Sequence, residues 1–293
     1  MLQHRYYIWA YEQSLRTECG YTGTQPYWDW AKTAVTGLER SPIFDGSDTS
    51  MSGNGAYVPG NELGQLNLES PPGFNLPPLA LPAGYGGGCV TSGPFKDSTW
   101  NKTTYDRICV LTRTVSVNLG PLSLPLVNGS VVSNGNGLAY NPRCLKRDLT
   151  DKINRQFANA SAVAENILAY DNIWNFQMTM QGVPGTGNIG IHGGGHYSLG
   201  GDPGRDTWIS PGDPAFYLHH SQIDRVWWIW QNLNAKTAFG EKGISGTGTF
   251  LNGPPSANTT LDTMIDLGYA WEGALPMRDL MSTTSGPFCY IYV

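Results

Sequence analysis

Residues 213–227 read DPAFYLHHSQIDRVW and combine a strong helix start with two adjacent histidines. Asp213 is a good N-cap, and the proline after it suits the first position of a helix because no N–H is needed there. The apolar spacing predicts that this helix continues to about Leu233. His219 and His220 then lie in the middle of a helix, where neighbouring side chains point about 100° apart. One metal ion would normally be reached by only one of them.

A second histidine motif lies upstream, where residues 192–196 read HGGGH. His192 and His196 are four residues apart, so a helix would place both on one face. Each glycine between them disfavours a helix by roughly 1 kcal/mol, and a bound metal ion can offset this because ligation contributes to folding. Glycines also leave space beside a metal, so Gly193 is a candidate for lining a substrate pocket.

The identity of the metal is narrowed by the motifs that the chain lacks. Three neutral imidazoles suit copper, zinc, iron or nickel. A zinc peptidase motif needs a glutamate beside its first histidine, but no glutamate occurs between Glu165 and Glu241. An iron site with one carboxylate from Asp202, Asp206 or Asp213 stays open, as does a structural zinc or a set of buried histidines without metal. A three-histidine copper site is the favoured interpretation.

Asp224 lies four residues after His220, on the same face of the predicted helix. A carboxylate there can orient an imidazole of the cluster through a hydrogen bond, and this is its predicted role. The alternative is a charge on the helix surface that takes no part in the site.

The composition bears on partners and compartment. Only 14% of the 293 residues are charged, and the net charge of −5 comes without a basic patch, so no nucleic-acid partner is expected. No apolar run approaches the ~18 residues of a membrane span, so no membrane partner is expected either. Four N-glycosylation sequons indicate a secreted glycoprotein, with chance occurrence as the alternative. They begin at Asn101, Asn128, Asn159 and Asn258.

Five cysteines allow two disulfides and leave one cysteine over. Cys89 and Cys144 are the predicted pair for one of them. No Cys-x-x-Cys motif occurs, which excludes a cysteine-based zinc or redox site of that kind.

The rest of the chain predicts a mainly helical domain with long irregular connections. Residues 25–30 read QPYWDW, which is too aromatic for an exposed loop. Ser161 and Asp171 are expected to cap helices. Further helices are predicted at residues 4–19, 148–157, 161–170 and 171–182, short strands within 108–127, and irregular stretches at 41–100 and 240–260. No internal repeat or clear domain boundary is found.

These motifs together resemble one family. The segment 213–227 is similar to the copper B signature of tyrosinases, catechol oxidases and molluscan haemocyanins, which are type 3 copper proteins, and HGGGH matches the first two ligands of that site. His4-Arg5 resembles the end of the copper A region, and Tyr290-Ile291-Tyr292 resembles the tyrosine motif that closes the catalytic core. The short fungal secreted members of the polyphenol oxidase group are the most similar.

The resemblance implies a fold and a set of ligands. The fold would be mainly α, a type 3 copper four-helix-bundle core with long irregular loops and few short strands, and residues 1–293 would form a single catalytic domain. Copper B would be held by His192, His196 and His220, with His219 beside the site but not a ligand. His4 would be the third ligand of copper A.

The histidine count limits this site. A type 3 centre needs six histidines, and the five of this chain become four once His219 is set aside. Ligands are thus present for one complete copper site, and the upstream part of the copper A region is missing. The absence of a signal peptide fits an N-terminally truncated chain, which is the expectation. The alternative is a short protein that binds one copper at most.

The implied activity is copper-dependent oxidation of o-diphenols, with monophenols as a further class, to o-quinones by dioxygen. Many tyrosinases have an asparagine at the position of Gly193, thought to help deprotonate monophenols through a water molecule, so diphenol oxidation is the prediction here. Thr207 maps to the position that gates substrate entry. Haemocyanin-like dioxygen binding and an inactive copper-binding remnant are the alternatives.

Overall fold

The computed structural model describes residues 1–68, 77–96, 117–118, 142–183, 185–206, 209–249 and 252–293. These residues form two compact units. Unit 1 comprises Met1–Tyr27, Ser161–Gln181 and His220–Val293, and unit 2 comprises Trp28–Ala160 and Gly182–His219.

Helices dominate the described structure, and the strands are short and paired in twos. The helices are α1 Leu2–Cys19, α2 Trp30–Thr36, α3 Asp151–Phe157, α4 Ala160–Leu168, α5 Ile173–Gln181, α6 Gly190–Leu199, α7 Ala215–Leu233 and α8 Ala235–Ala238. The strands are β1 Gly55–Tyr57, β2 Gln65–Leu68, β3 Leu79–Pro82, β4 Gly87–Val90, β5 Val117–Asn118, β6 Pro142–Arg143, β7 Met264–Ile265 and β8 Leu275–Pro276. The antiparallel pairs are β1–β4, β2–β3, β5–β6 and β7–β8. The predicted mainly α fold with few short strands is confirmed.

The ends of the helices show which local sequence signals correctly predicted a helix boundary. Asp213 starts α7 as predicted, since its Oδ1 accepts the backbone N–H of Ala215 at 2.8 Å. Gly20 ends α1 with a left-handed φ of 67°, which a residue with a side chain seldom adopts. The prediction that Ser161 caps a helix is wrong because α4 already begins at Ala160.

Helix α2 was not predicted. It is one of the shortest helices, and its apolar spacing covers only two turns. Asp29 caps it by accepting the backbone N–H of Ala31 at 3.2 Å. The helix therefore begins at Trp30, whose side chain is fully buried together with that of Trp28, which confirms that this aromatic segment is not an exposed loop.

The packing of unit 2 explains one of the helix glycines of HGGGH. Helix α3 lies against α6, and a Cβ on Gly194 would lie 3.0 Å from the Cβ of Phe157 and 3.2 Å from that of Ala158. The absence of a side chain at Gly194 lets the two helices approach closely. Phe157 also belongs to a buried apolar cluster, which comprises Leu66, Leu81, Ile153, Phe157 and Ile189.

In unit 1, the last turns of α7 pack against α5. The rings of Trp230 and Phe176 lie 4.8 Å apart, and both side chains are fully buried. The indole N–H of Trp230 donates to the carbonyl of Tyr170 at 2.7 Å, so the polar atom of this ring is satisfied. Trp227 and Trp230 are both core residues.

The covalent links agree with the cysteine prediction. Cys89 and Cys144 form a disulfide, which confirms the predicted pair. Cys19 is also disulfide-bonded, while Cys289 is an exposed free thiol. Within the described residues, no helix has the length and apolarity needed to cross a membrane.

Several sequence predictions fall on residues outside the described ranges. These are the sequons at Asn101 and Asn128, most of the strand region 108–127, and Thr207. Of the other two sequons, Asn159 lies between α3 and α4 and Asn258 is exposed.

Candidate metal centre

The two histidines of HGGGH present their side chains to each other on one face of α6. The Nε2 atoms of His192 and His196 lie 3.2 Å apart. A metal ion with bonds of about 2.0–2.1 Å to imidazole nitrogens holds neighbouring ligand atoms roughly 3.3 Å apart in a tetrahedral site. The observed spacing therefore fits two ligands of one ion.

The surroundings of His196 fix its tautomer. Its Nδ1 lies 2.9 Å from the carbonyl oxygen of Gly204. A carbonyl can only accept, so Nδ1 carries the proton and Nε2 keeps the lone pair that a metal requires. Burial lowers the pKa of His196 to about 4, so the ring is neutral at pH 7. His196 is thus prepared as an Nε2 ligand.

His219, which the sequence analysis sets aside as a ligand, lies in the same cluster. Its ring is parallel to that of His192, with centroids 5.6 Å apart. It stands edge-on to His196 at 4.5 Å. Its Nδ1 accepts a hydrogen bond from the indole Nε1–H of Trp30 at 3.1 Å.

The glycines of α6 differ in what lies beside them. A Cβ on Gly195 would lie 2.2 Å from both Nδ1 and Cε1 of His219, so the imidazole ring fills that place. A Cβ on Gly193 would lie 2.9 Å from the Cβ of Ile189, one turn earlier in the chain. At Gly195 the missing side chain serves packing rather than substrate access.

The remaining histidines form a stacked pair in unit 1. The rings of His4 and His220 lie 4.2 Å apart and within 10° of parallel. His220 is buried. His220 belongs to a group of four histidines whose potential ligand atoms all lie within 4.8 Å of one another. The members are His192, His196, His219 and His220.

This donor set bears on the metal. Within the described part of the chain, the group holds imidazoles and no carboxylate. Asp213 was one candidate for the carboxylate of an iron site. Its carboxylate instead accepts hydrogen bonds from Nε and Nη2 of Arg147, at 2.8 and 2.6 Å. Several borderline metals accept such an all-nitrogen set, copper among them.

Asp224 has a different role from the predicted one. Its Oδ1 accepts Nε–H of Arg5 at 2.6 Å, and its Oδ2 accepts the hydroxyls of Tyr290 and Tyr292 at 2.7 and 2.6 Å. No imidazole is among these partners. The carboxylate is buried, so it is also not the surface charge that the alternative describes.

The two tyrosines of this network are held protonated. Burial, followed by the nearby charge of Asp224, raises the pKa of Tyr290 well above its ordinary value, and the same causes act on Tyr292. Both hydroxyls therefore remain donors to the carboxylate. The C-terminal tyrosine motif is bound to the α7 residue that lies one turn after His220.

Sequence reasoning missed two partners of the cluster, Trp30 and Gly204. QPYWDW was noted only for its aromatic character, and a backbone carbonyl such as that of Gly204 leaves no trace in the sequence. The hydrogen bond from Trp30 to His219 spans 189 residues. No local pattern reports such a distant contact.

The chain is similar to a family model and to proteins of known function. The family model described as the common central domain of tyrosinase matches residues 2–233. Tyrosinase P of Aspergillus terreus is 38% identical over 290 residues, covering 99% of this chain and 73% of that protein. The N-acetyl-6-hydroxytryptophan oxidase ivoB of Emericella nidulans is 36% identical over 300 residues, covering 99% and 74%.

A solved structure is similar over the whole chain. It is a glycine-to-asparagine variant of the polyphenol oxidase from Thermothelomyces thermophila, with a TM-score of 0.84 and 40% sequence identity. The match covers 100% of this chain and 72% of that one.

Proposed function

The chain belongs to the tyrosinase family of copper oxidoreductases, and we propose that it oxidises o-diphenols to o-quinones with dioxygen. Two diphenols would each lose two electrons and two protons, and one dioxygen would take up all four of each to give two waters. The observation that carries this proposal is the group of four histidines with ligand atoms within 4.8 Å of one another.

We assign one copper to His192, His196 and His220, and we assign His4 to a second copper. The bound metal would supply the electron transfer between phenol and dioxygen. The protein contributes neutral ligands in fixed orientations, as the hydrogen bond from His196 to Gly204 illustrates. The stacked rings of His4 and His220 support the assignment of these two residues to adjoining positions.

The substrate proposal depends on Gly193. A residue without a side chain cannot hold a water that removes the proton of a monophenol, so the proposed substrate class is the more easily oxidised o-diphenol. The relatives include an N-acetyl-6-hydroxytryptophan oxidase as well as a tyrosinase. The natural phenol of this chain is therefore best sought with a panel that includes hydroxyindoles.

Copper content and quinone formation test the proposal together. The purified chain is loaded with copper, its metal is counted by elemental analysis, and catechol turnover is followed by quinone absorbance. We expect His196→Asn and His220→Asn each to lose copper, and we expect a zinc-loaded sample to form no quinone. A copper-loaded chain that forms no quinone would refute the oxidase proposal, and a chain that retains copper without these histidines would refute the ligand set.

A second candidate function is copper binding without turnover. The described group of four histidines favours it, because these imidazoles could hold a metal ion. One copper per chain together with no quinone formation would support this candidate. Two coppers per chain would contradict it.

Gly193→Asn tests the substrate preference. The new amide can hold a water near the phenol hydroxyl, and we expect the ratio of monophenol to diphenol turnover to rise, by up to about 100-fold if the water acts as a general base. Gly193→Ala adds a Cβ that meets the same Ile189 side chain but brings no amide. An equal rise in both variants would contradict the water mechanism.

We also propose that the protein is secreted and glycosylated. The Cys89–Cys144 disulfide and the bonded Cys19 support an oxidising compartment. The exposed sequon at Asn258 is accessible for modification. A mass decrease on glycosidase treatment of protein from a fungal culture medium is the expected result, and Asn258→Gln should remove part of it.

A further inference from the structure

Two adjacent histidines of α7 reach the metal cluster, and one hydrogen bond distinguishes them. The indole Nε1–H of Trp30 lies 3.1 Å from Nδ1 of His219. An indole N–H can only donate, so Nδ1 of His219 must offer its lone pair. A neutral imidazole in that position carries its proton on Nε2.

We propose that Trp30 is a positioning residue that keeps His219 from binding copper and thereby leaves the metal to His220. With Nδ1 engaged by Trp30 and Nε2 protonated, the neutral ring of His219 has no lone pair left for an ion. This inference rests on the proposed copper site. It gives a physical reason why copper is bound by His220 and not by the adjacent His219.

The surroundings of Trp30 hold its indole in place. Its side chain is fully buried, and its helix begins at that residue under the Asp29 cap. Its backbone carbonyl accepts from Thr33 Oγ1 at 3.1 Å and from Asn154 Nδ2 at 3.3 Å. The donor therefore stays fixed relative to His219.

Gly195 is part of the same arrangement. A Cβ at this position would lie 2.2 Å from Nδ1 of His219 and 3.1 Å from Nε1 of Trp30, which are the two atoms of the hydrogen bond. Any side chain at Gly195 would push them apart. This requirement accounts for the third glycine of HGGGH.

His196 shows the opposite arrangement within the same cluster. Its Nδ1 faces a carbonyl, an acceptor, and its Nε2 therefore keeps a lone pair. His219 faces a donor, and its Nε2 is therefore protonated. Two neighbouring imidazoles are thus set to opposite tautomers by one carbonyl and one indole.

Histidine tautomers can be read directly in the metal-free protein by long-range ¹H–¹⁵N correlation spectra of histidine-labelled chain, since there are only five histidines to assign. We expect His219 to be protonated on Nε2 and His196 on Nδ1. Protonation of His219 on Nδ1 in the native chain would overturn the proposal. This measurement needs no variant and no copper.

Trp30→Phe removes the donor and keeps an aromatic ring. We expect the fixed Nε2–H signal of His219 to be lost or mixed with the other tautomer. Trp28→Phe is the matched control, because Trp28 also lies beside His219 but donates its Nε1–H to Thr33 at 2.9 Å. An unchanged His219 tautomer in Trp30→Phe would contradict the role of the indole.

A ligand-exchange experiment tests the consequence for copper. We expect His220→Asn to weaken copper binding by about 10–100-fold or more, and His219→Asn to retain copper. In the His220→Asn background, adding Trp30→Phe should recover about tenfold of the lost affinity through His219, whereas adding Trp28→Phe should not.

The outcomes test the proposed ligand set and the positioning role of Trp30 separately. Copper binding by His220→Asn as tight as by the native chain would refute the proposed ligand set. Loss of copper in His220→Asn without recovery in Trp30→Phe/His220→Asn would refute the positioning role of Trp30 and leave the ligand set intact. If Trp30→Phe does not fold, the native tautomer spectrum still decides.

Discussion

Two buried arginine–aspartate pairs hold helix α7, and their carboxylates have different additional partners. At the start of the helix, Arg147 binds Asp213 through Nε and Nη2, a bidentate pair with both side chains fully buried. The remaining nitrogen of the guanidinium donates to backbone carbonyls of the loop at residues 51–53. Apart from Arg147, the carboxylate accepts the backbone N–H of Ala215 and no other donor among the described residues.

In the middle of the helix, Arg5 binds Asp224 through one N–H, and two tyrosine hydroxyls share the carboxylate. Arg5 follows His4 in α1, and Asp224 lies one turn after His220 in α7. The guanidinium also stacks on Trp227 at 3.9 Å from the ring centroid. This pair therefore fixes the two helix segments whose histidines stack on each other.

The comparison separates two uses of the same chemistry. The bidentate Arg147–Asp213 pair provides hydrogen-bond partners for a helix start and a loop. Its loss should reduce the stability of the fold without affecting copper binding. A pair with additional donors is less dependent on its arginine, but it aligns His4 with His220 and should affect the metal centre. Both pairs are buried, so the desolvation of their charges is similar and the difference lies in the partners.

Arg147→Met is expected to have the largest effect on stability. The substitution leaves Asp213 buried with one backbone donor and removes the donors to three carbonyls, so we expect unfolding free energy to fall by about 3–5 kcal/mol. Urea unfolding followed by tryptophan fluorescence measures this. Arg16→Met breaks an exposed pair with Glu12 and should cost about 0–1 kcal/mol. Equal losses in the two variants would show that burial does not govern the effect.

Arg5→Met should cost less stability but affect the metal centre. The substitution removes a donor from the carbonyls of Leu280 and Met281 and from the amide oxygen of Gln231. The hydroxyls of Tyr290 and Tyr292 still donate to the buried carboxylate of Asp224, so we expect a loss of about 2–3 kcal/mol. Copper affinity should fall as well, because His4 loses its alignment on His220, whereas Arg147→Met molecules that remain folded should bind copper as the native chain does. A stability loss as large as that of Arg147→Met, with copper affinity unchanged, would contradict the distinction.

The parts of this structure that sequence reasoning predicted are those with local signals. The Asp213-Pro214 start of α7, the end of α1 at residue 19 and the i, i+4 histidines of α6 each depend on residues within a turn or two. The Cys89–Cys144 pair was also predicted, although cysteine counting alone allows other pairings.

The parts that it did not predict depend on contacts between distant residues. Arg5 and Asp224 are separated by 219 residues, and Arg147 and Asp213 by 66. The spacing of Asp224 on its helix suggested an imidazole partner, but the actual partners come from the two ends of the chain. A charge on a helix face can be placed by periodicity, whereas its partner is decided by tertiary packing.

The glycines of HGGGH show the same limit. Their small size was interpreted as space for a substrate, which is one of two physical uses of a missing side chain. The structure fills the places beside Gly194 and Gly195 with α3 and with the ring of His219. Sequence cannot distinguish a cavity from a close contact, because both require a glycine.

The smallest effect is expected from the tyrosine hydroxyls that share Asp224. Tyr290→Phe and Tyr292→Phe each remove one hydrogen bond to a buried carboxylate that keeps its arginine, so we expect each to cost about 1–2 kcal/mol at pH 8. In the native chain, burial and Asp224 raise the pKa of both hydroxyls well above 10. An unfolded tyrosine ionises near pH 10, so above that pH the unfolded chain holds fewer protons than the folded one, and stability falls as pH rises.

Removal of both hydroxyls should flatten this alkaline loss. Urea unfolding of the metal-free protein at pH 8 and pH 11 measures it, with the double variant Tyr290→Phe/Tyr292→Phe compared with the native chain. Tyr269→Phe is the control, since Tyr269 is fully exposed. If the double variant loses as much stability between the two pH values as the native chain, burial and Asp224 do not hold the tyrosines protonated. The tyrosine hydroxyls would then not distinguish the middle of α7 from its start.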